Sequence, residues 1–323
     1  MTELGKYLST NPSGWQSAAL LAERENGWFI PEFIQLAINN ITEYFLDGGR
    51  LQAFAGAYNI PDEQAHPKRV GLVTAGNIPL VGFHDWLCIF LSGHHTVIKP
   101  SSKDKVLISH LIETLAQWEP AVALQSQQAE MLKGCDAYIA TGSNNSARYF
   151  DYYFSKYPSI IRRNRTSAAL LDGTETTEEL GRLADDIHLY FGLGCRNVTK
   201  LFIPKGYDFV PLLEACRRYA HFADHNKYRN NYDYQLALLM LNSKYYMTNE
   251  SLLLVENESV FSPVSQLNYG YYASRDETLA GLNQSDDIQC IVSKELIPFG
   301  QAQRPSLDDF ADGVDTMRFL AGL

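Results

Sequence analysis

Apolar residues recur in two rhythms along this chain. Short aliphatic and β-branched runs, such as 69–75 and 95–99, alternate with longer apolar stretches, such as 80–92 and 103–117. The short runs have the length and composition of buried strands, and the longer stretches have the length of helices. Strands that alternate with helices predict an α/β fold, in which helices flank a parallel sheet.

The alternation continues towards the carboxyl terminus. The pattern predicts further strands at 137–142, 159–163, 167–171, 197–204, 252–256, 269–274 and 287–293. It predicts further helices at 143–154, 176–191, 208–222, 231–241 and 306–320, the last with Ser306 as its cap. Before the alternation, a helix that begins at Pro31 should end or bend at Gly48-Gly49, and a polar linker should cover 61–67.

Length and charge limit the class of protein. The 323 residues suffice for two folding units, with a boundary expected near Asp172. A net charge of -10 argues against a protein that binds duplex nucleic acid, which needs a basic face. Five scattered cysteines fit a reducing compartment, and no signal peptide or membrane-spanning run is seen. We therefore expect a cytoplasmic protein with neither nucleic acid nor a membrane span as a partner.

Cys195 is the first candidate for chemistry, in the sequence FGLGCRN. Its neighbours Gly192 and Gly194 would let a substrate approach the backbone closely, and an exposed thiolate there would be a good nucleophile. The alternative is a buried structural cysteine. That alternative is also our interpretation of Cys88, Cys135, Cys216 and Cys290.

Three loops that follow predicted strands carry polar groups. Asn77 could donate a hydrogen bond to an oxyanion, or it could satisfy its own turn. Lys99 could reach ribose hydroxyls or phosphates, or it could be a solvated surface lysine. Gly142 and Ser143 begin a helix and could face a pyrophosphate, or they could form only a turn and a cap. The usual G-x-G-x-x-G fingerprint is absent.

Three other groups of polar residues are weaker candidates for a functional site. His221 and His225 are spaced to share a metal, but no third ligand is evident, so we assign no metal site. A basic group could contact coenzyme A phosphates or mark an exposed strand end: Arg162, Arg163 and Arg165. A tyrosine group could line an acyl pocket or pack in a core: Tyr228, Tyr232, Tyr234, Tyr245 and Tyr246.

The motifs GLVTAGNIPLVGF, HTVIKPS, IATGS, FSPVSQL and IPFGQ, with the glycine-flanked Cys195, resemble the aldehyde dehydrogenase superfamily in that family's order. Within it the chain is most similar to the acyl-CoA reductases of the bioluminescence (LuxC-like) type. The resemblance covers about residue 69 to the carboxyl terminus. It implies an aldehyde dehydrogenase-like fold, with a nucleotide-binding domain (1–171 plus 303–323), a smaller α/β catalytic domain (172–302) and a homo-oligomer.

The resemblance also implies roles at matching positions. Cys195 corresponds to the catalytic thiol, and Asn77 to the oxyanion-hole amide that works with the backbone N–H of Cys195. Lys99 corresponds to the lysine on the adenosine ribose, and Gly142 with Ser143 to the turn beside the pyrophosphate.

Departures from the family pattern refine the expected activity. Phe261 resembles the loop near the nicotinamide, but Ser259 replaces the glutamate expected there. Leu170 replaces the glutamate that activates water, which favours transfer of the acyl group to a thiol over hydrolysis. Ser102, followed by Lys103, replaces a glutamate of NAD-preferring members, which favours NADPH.

The sequence therefore predicts NADPH-dependent reduction of an acyl thioester, either acyl-CoA or an acyl-carrier thioester, to an aldehyde through a Cys195 acyl-enzyme. Alternatives are NAD(P)-dependent aldehyde oxidation, a non-catalytic family member, and a metal enzyme built on His221 and His225.

Overall fold

The chain forms two compact units. A computed structural model describes residues 1–61 and 63–323, so the linker expected at 61–67 includes residue 62, which lies outside the described residues. The first unit comprises Met1–Asn164 and Pro305–Leu323, and the second comprises Arg165–Arg304. The boundary expected after residue 171 thus moves to residue 164, because the strand that follows pairs in the second unit's sheet.

A five-stranded parallel sheet organises the first unit. Its strands lie in the order β3-β2-β1-β4-β5. They are β1 (Arg69–Val73), β2 (His95–Lys99), β3 (Ser126–Gln128), β4 (Ala137–Thr141) and β5 (Ser159–Arg162). Successive strands run outwards from β1 in one direction as far as β3 and then in the other through β4 and β5. The carboxyl end of β1 is therefore the switch point, where sheets of this kind place their ligands.

Helices cover this sheet. They are α1 (Thr2–Ser9), α2 (Ser13–Glu25), α3 (Pro31–Asn40), α4 (Gly48–Ala57), α5 (Phe83–Leu91), α6 (Val106–Trp118), α7 (Val122–Gln125) and α8 (Asn144–Phe154). The apolar helix α5 is buried nearly all round, and its Trp86 and Leu87 join Val70 and Leu72 of β1 in the core. Helix α3 continues as a π-helical turn before Asp47 caps α4, so the bend expected at Gly48-Gly49 is found.

The second unit contains a six-stranded sheet in the order β11-β6-β7-β10-β9-β8. Its strands are β6 (Thr166–Leu170), β7 (Val198–Ile203), β8 (Met247–Thr248), β9 (Leu253–Glu256), β10 (Gln266–Tyr271) and β11 (Ile288–Val292). All neighbouring pairs are parallel except β8 and β9. The accompanying helices are α9 (Thr177–His188), α10 (Val210–Cys216), α11 (Asn226–Leu241) and α12 (Arg275–Asn283).

Two helix predictions need correction. The stretch expected to be helical at 208–222 divides into α10 and a 3-10 helix at Arg217–Asp224. The helix expected at 306–320 is wrong: a 3-10 turn at Ala311–Gly313 precedes a short helix, α13 (Thr316–Ala321). Asp312 and Gly313 have φ values of 59° and 66°, a left-handed backbone that a right-handed helix cannot contain. Asp315, not Ser306, caps the helix by accepting the Arg318 N–H at 2.8 Å.

A buried ion pair ties the carboxyl-terminal segment to the first unit. Arg162, at the end of β5, donates to both carboxylate oxygens of Asp85 in α5, at 2.7 and 3.1 Å. It also donates to Thr316 Oγ1 at 2.7 Å and to the Ala311 carbonyl. Arg162 is 2% exposed, so both alternatives considered from the sequence, contact with coenzyme A phosphates and an exposed strand end, are wrong for this residue. The adjacent Arg163 is exposed and pairs with Asp151.

No helix in the described part of the chain combines the length and the apolar character needed to cross a bilayer.

Candidate functional site

The carboxyl edge of the first sheet gathers the loops that the motifs mark. Asn77 follows β1, Lys99 ends β2, and Gly142-Ser143 follows β4. Because β2, β1 and β4 are adjacent and parallel, these loops lie at one edge of the sheet. Asn77, Lys99 and Ser143 are exposed there. The structure thus brings together the unit-1 residues that the sequence singled out.

Two hydrogen bonds, one of them to a side chain, join the loops after β1 and β2. The Thr74 N–H donates to the Lys99 carbonyl at 3.3 Å, and the Ser101 N–H donates to Thr74 Oγ1 at 3.4 Å. A Cβ added at Gly76 would lie 2.7 Å from Ser101 Oγ, so only glycine allows this close approach. The Asn77 turn and the lysine loop therefore form one packed structure.

Asp104 holds the end of the Asn77 turn. Leu80 has a left-handed φ of 56°, and its N–H donates to Asp104 Oδ2 at 2.6 Å. Burial raises the pKa of the Asp104 carboxyl to about 7, against the opposing effect of the hydrogen bond from Leu80. Sequence reasoning missed this residue, because its partner, the Leu80 N–H, lies 24 residues away along the chain.

The loop after β4 ends in a helix cap. Ser143 Oγ accepts the Ser146 N–H at 3.3 Å, and a Cβ at Gly142 would lie 2.8 Å from that of Ser146. The turn-and-cap alternative is thus observed, and the N-terminus of α8 also presents backbone N–H groups to this edge. With exposed Lys99 nearby, this donor set suits the phosphates of a dinucleotide.

The loop after β2, at residues 99–103, also lies at this edge of the sheet. Ser102 and Lys103 are both exposed, and residues 99–103 include two lysines and no carboxylate. This segment therefore presents positive charge at the edge of the sheet.

Cys195 differs from the other cysteines in exposure. Cys195 is half-buried, whereas the remaining four are buried. Burial raises the pKa of three of those buried thiols, those of Cys88, Cys135 and Cys216. A thiolate nucleophile needs access, so Cys195 is the best candidate of the five.

The chain approaches Cys195 through an unusual backbone. Tyr190, Phe191 and Gly192 have φ values of 55°, 56° and 74°. The left-handed region costs a non-glycine residue about 1–2 kcal/mol, so packing must hold the first two. The Phe191 ring lies with its centroid 4.6 Å from those of Phe222 and His225 and is 2% exposed.

Asn197 ties this loop together from within. Its Oδ1 accepts the Gly194 N–H at 2.8 Å, and its Nδ2 donates to the Leu189 carbonyl at 2.7 Å and the Asp186 carbonyl at 3.1 Å. On the other side, Ser167 Oγ of β6 donates to the Cys195 carbonyl at 3.0 Å. Both residues were missed from the sequence, and the only available signal was a polar residue two positions after Cys195.

The PFG motif is attached to the helix that leads to Cys195. The Asp186 carboxylate of α9 accepts the Gly300 N–H at 2.6 Å and the Ala302 N–H at 3.1 Å. Burial raises the pKa of Asp186 to about 7, although these two hydrogen bonds oppose the rise. Gly300 has a φ of 82°, and a Cβ there would lie 3.0 Å from that of Arg182. The motif thus has a structural reason for its glycine.

Phe261 lies in a loop fixed to the sheet below it. Thr199 Oγ1 of β7 donates to the Val260 carbonyl at 2.6 Å, and Asn268 Nδ2 of β10 donates to the Ser259 and Phe261 carbonyls, both at 3.0 Å. Ser259 Oγ donates to the Phe261 carbonyl at 2.9 Å. The serine that replaces the family's glutamate therefore helps to shape the loop, and Phe261 itself is half-buried.

The remaining candidates have other surroundings. Leu170 is 1% exposed and packs in an apolar cluster with Leu282 and Ile291, so its position offers no base. His225 Nδ1 accepts the Tyr228 N–H at 3.3 Å at the start of α11, and the described residues include no group of three or more metal-ligating side chains. Tyrosines 228 and 232 are core residues, whereas 234 and 245 are exposed.

Comparison with protein families found one match. The model of the family described as acyl-CoA reductase (LuxC) matches residues 62–214, which include Asn77, Lys99, Gly142 and Cys195. The resemblance inferred from the motifs is therefore confirmed over this part of the chain. No curated protein sequence matches the chain significantly.

Solved structures show the same fold. An NAD-dependent aldehyde dehydrogenase from Sinorhizobium meliloti is similar with a TM-score of 0.68 and 11% identity, over 94% of this chain and 71% of that one. Aldehyde dehydrogenase 21 from Physcomitrella patens, solved with the product succinate, has a TM-score of 0.67 and 12% identity, over 91% of this chain and 72% of that one. An indole-3-acetaldehyde dehydrogenase from P. syringae, solved with NAD+, is similar with a TM-score of 0.63 and 13% identity, over 90% of this chain and 70% of that one. The aldehyde dehydrogenase-like α/β fold is thus confirmed.

Proposed function

We propose that the protein reduces an acyl thioester, carried by coenzyme A or by a carrier protein, to an aldehyde through an acyl-enzyme on Cys195, with NADPH as reductant. The observation that carries this proposal is the contrast between Cys195, half-buried in a loop fixed by hydrogen bonds, and four buried cysteines. The acyl-CoA reductase family match, which includes Cys195, supports it. Fold similarity to aldehyde dehydrogenases supports the broader class of oxidoreductase.

The chain's own groups suggest how the acyl transfer proceeds. The Cys195 thiolate attacks the thioester carbonyl carbon, a new carbon–sulfur bond forms, and the carrier thiolate leaves. The Cys195 N–H donates a hydrogen bond to the oxyanion of the tetrahedral intermediate, and Asn77 keeps the role of second donor that the family resemblance implies. By the family resemblance, Leu170, a buried aliphatic residue, corresponds to the glutamate of hydrolytic relatives. The acyl-enzyme therefore persists until it is reduced. NADPH, when bound, would supply the hydride that reduces the acyl group to an aldehyde, and the Cys195 thiolate would be released as its carbon–sulfur bond breaks.

The choice of NADPH rests on the loop after β2. By the family resemblance, exposed Ser102, followed by exposed Lys103, corresponds to a glutamate of NAD-preferring relatives that would repel a 2′-phosphate. Ser102→Glu should weaken NADPH binding about tenfold relative to NADH, equivalent to about 1.4 kcal/mol. Fluorescence titration with both cofactors measures this ratio. Ser13→Glu, at an exposed serine of α2, is the control and should leave the ratio unchanged. An unchanged ratio in the Ser102 variant contradicts the cofactor assignment.

The activity itself is tested by NADPH oxidation with acyl-CoA substrates of increasing chain length, with the aldehyde trapped as a hydrazone. Cys195→Ala should abolish turnover and retain NADPH binding, whereas Cys135→Ala, at a buried cysteine of the first unit, should retain turnover. Near-normal turnover by Cys195→Ala would overturn the proposal. Acid produced from an aldehyde and NADP+ without any added thiol would instead indicate aldehyde oxidation.

A further inference from the structure

We propose that Asn197 is a positioning residue that fixes the backbone N–H of Cys195 in the direction needed to stabilise an oxyanion. This inference rests on the proposed function, because it assumes that Cys195 carries the acyl group. It adds a residue whose side chain acts through the Leu193–Gly194 peptide group and the end of α9.

The first step concerns the peptide group between Gly194 and Cys195. The Asn197 backbone N–H donates to the Gly194 carbonyl at 3.1 Å and closes a turn around the cysteine. The described peptide bonds include no cis bond. In a trans peptide, the carbonyl and the following N–H point in opposite directions. A fixed Gly194 carbonyl therefore fixes the Cys195 N–H, which points away from Asn197.

The second step concerns what holds Asn197. Its side chain is fully buried, at 0% exposure. The carboxamide accepts the Gly194 N–H and donates to the carbonyls of Leu189 and Asp186, at the end of α9. Because both ends of the amide group are used, the side chain has one orientation, and the peptide groups on both sides of Gly194 are fixed with respect to the helix end.

The third step concerns the backbone that this arrangement restrains. Tyr190, Phe191 and Gly192 are left-handed and lie between the helix end and Gly194. Such a segment stores conformational energy, and it relaxes unless its surroundings over-determine it. Asn197 bonds to Leu189 before this segment and to Gly194 after it. Without the carboxamide, the Leu193–Gly194 peptide group would lose its acceptor, and Asn197 would hold the Gly194–Cys195 peptide group only through its backbone N–H.

The expected effect on catalysis follows from preorganisation. Loss of one oxyanion donor reduces the rate constant of acyl transfer by about 10²–10³. Misorientation of a donor that remains present should cost less, so Asn197→Ala should lower the rate of acylation by at least tenfold. Alkylation by iodoacetamide forms no oxyanion. The pH-independent rate at which the Cys195 thiolate is alkylated should therefore stay within about twofold of wild type.

Two pre-steady-state measurements on the full chain test the inference. The first is the acylation rate of Cys195 by an acyl-CoA that the wild type accepts, followed by quenching and mass spectrometry. The second is the pH profile of iodoacetamide alkylation, whose plateau removes any change in the pKa of the thiol. Asn249→Ala is the matched control, since Asn249 is also a buried asparagine that binds backbone groups, including the Leu213 carbonyl at 3.2 Å. It should leave both rates unchanged.

The outcomes separate the two proposals. If the wild type is not acylated, the proposed function fails. If the wild type is acylated and Asn197→Ala matches it, the positioning role fails. Equal loss of acylation and alkylation in the Asn197 variant would also overturn the inference, because it would indicate a general collapse of the loop. If Asn197→Ala does not fold, Asn197→Asp keeps the acceptor for Gly194 and loses the donors to Leu189 and Asp186. The same selective loss of acylation is expected from it.

Discussion

Removal of the Asp85 carboxylate should destabilise the first unit strongly. The Arg162 guanidinium is 2% exposed, and Asp85 accepts two of its hydrogen bonds. Asp85→Ala leaves that cation buried with only the Thr316 hydroxyl and the Ala311 carbonyl as partners. Breaking a buried pair by removing one member costs about 3–5 kcal/mol. We expect a loss of that size in the free energy of unfolding, measured by urea denaturation followed by circular dichroism.

The adjacent exposed pair provides the control. Arg163 and Asp151 have side chains that are 63% and 44% exposed, so Asp151→Ala should change the free energy of unfolding by less than about 1 kcal/mol. The double variant Asp85→Leu with Arg162→Met should be more stable than Asp85→Ala alone, because it leaves no uncompensated charge. The reasoning is refuted if Asp85→Ala costs no more than Asp151→Ala, or if the double variant is the least stable protein.

The Asp85–Arg162 pair should also make the stability of the fold depend on pH. Burial alone would raise the pKa of Asp85, but the charge and hydrogen bonds of Arg162 outweigh burial and lower it below the ordinary value of 3.8. A lowered folded-state pKa means that the carboxylate stabilises the fold above the unfolded-state pKa. This contribution should disappear as the pH falls through the folded-state value. Wild type and Asp85→Ala should therefore become more alike in stability below about pH 4, which acid titration at fixed urea would measure.

Three other changes have expected outcomes. Burial raises the pKa of Asp186 to about 7, so the free energy of unfolding of the wild type should fall as the pH rises from about 4 to 7. Asp186→Asn should lack this decline. Urea denaturation of both proteins at pH 5 and pH 8 measures it, and an equal change in the two proteins would contradict the prediction. Gly82→Ala places a Cβ 2.2 Å from Thr74 Cγ2 and should cost about 1–3 kcal/mol in unfolding free energy. Thr74→Ser in that background should recover part of the loss, and no recovery would argue against this clash. Phe191→Ala should cost about 3–5 kcal/mol in thermal or urea denaturation, and a loss below 1 kcal/mol would show that its ring does not hold the left-handed turn.

Strands were the best-predicted part of the fold because both sheets are mainly parallel and buried. The run at 95–99 matches β2 to the residue, since its apolar residues stop where the polar loop begins. Helix α12 was missed because its sequence, RDETLAGLN, is largely polar and contains a glycine. The helix expected at 306–320 failed for a different reason: its apolar spacing was acceptable, but Asp312 and Gly313 adopt a backbone that helical spacing does not reveal.

Some residues of the candidate site could be predicted from the sequence and others could not. Asn77, Lys99 and Ser143 could be placed from sequence because each follows the end of a parallel strand, and the sheet order then brings them to one edge. Asp104 and Asp186 could not, because their partners are backbone N–H groups 24 and 114 residues away. Those contacts depend on the course of the chain in space, and no local residue pattern encodes them.

The unequal exposure of the five sulfur atoms has a practical consequence. Because four of them are shielded inside the fold, a maleimide added to native protein should attach once per molecule. More than one maleimide group per protein molecule would then indicate that the interior of the fold has opened. An intact-mass spectrum of the labelled protein therefore reports whether the fold is intact before any substrate is known.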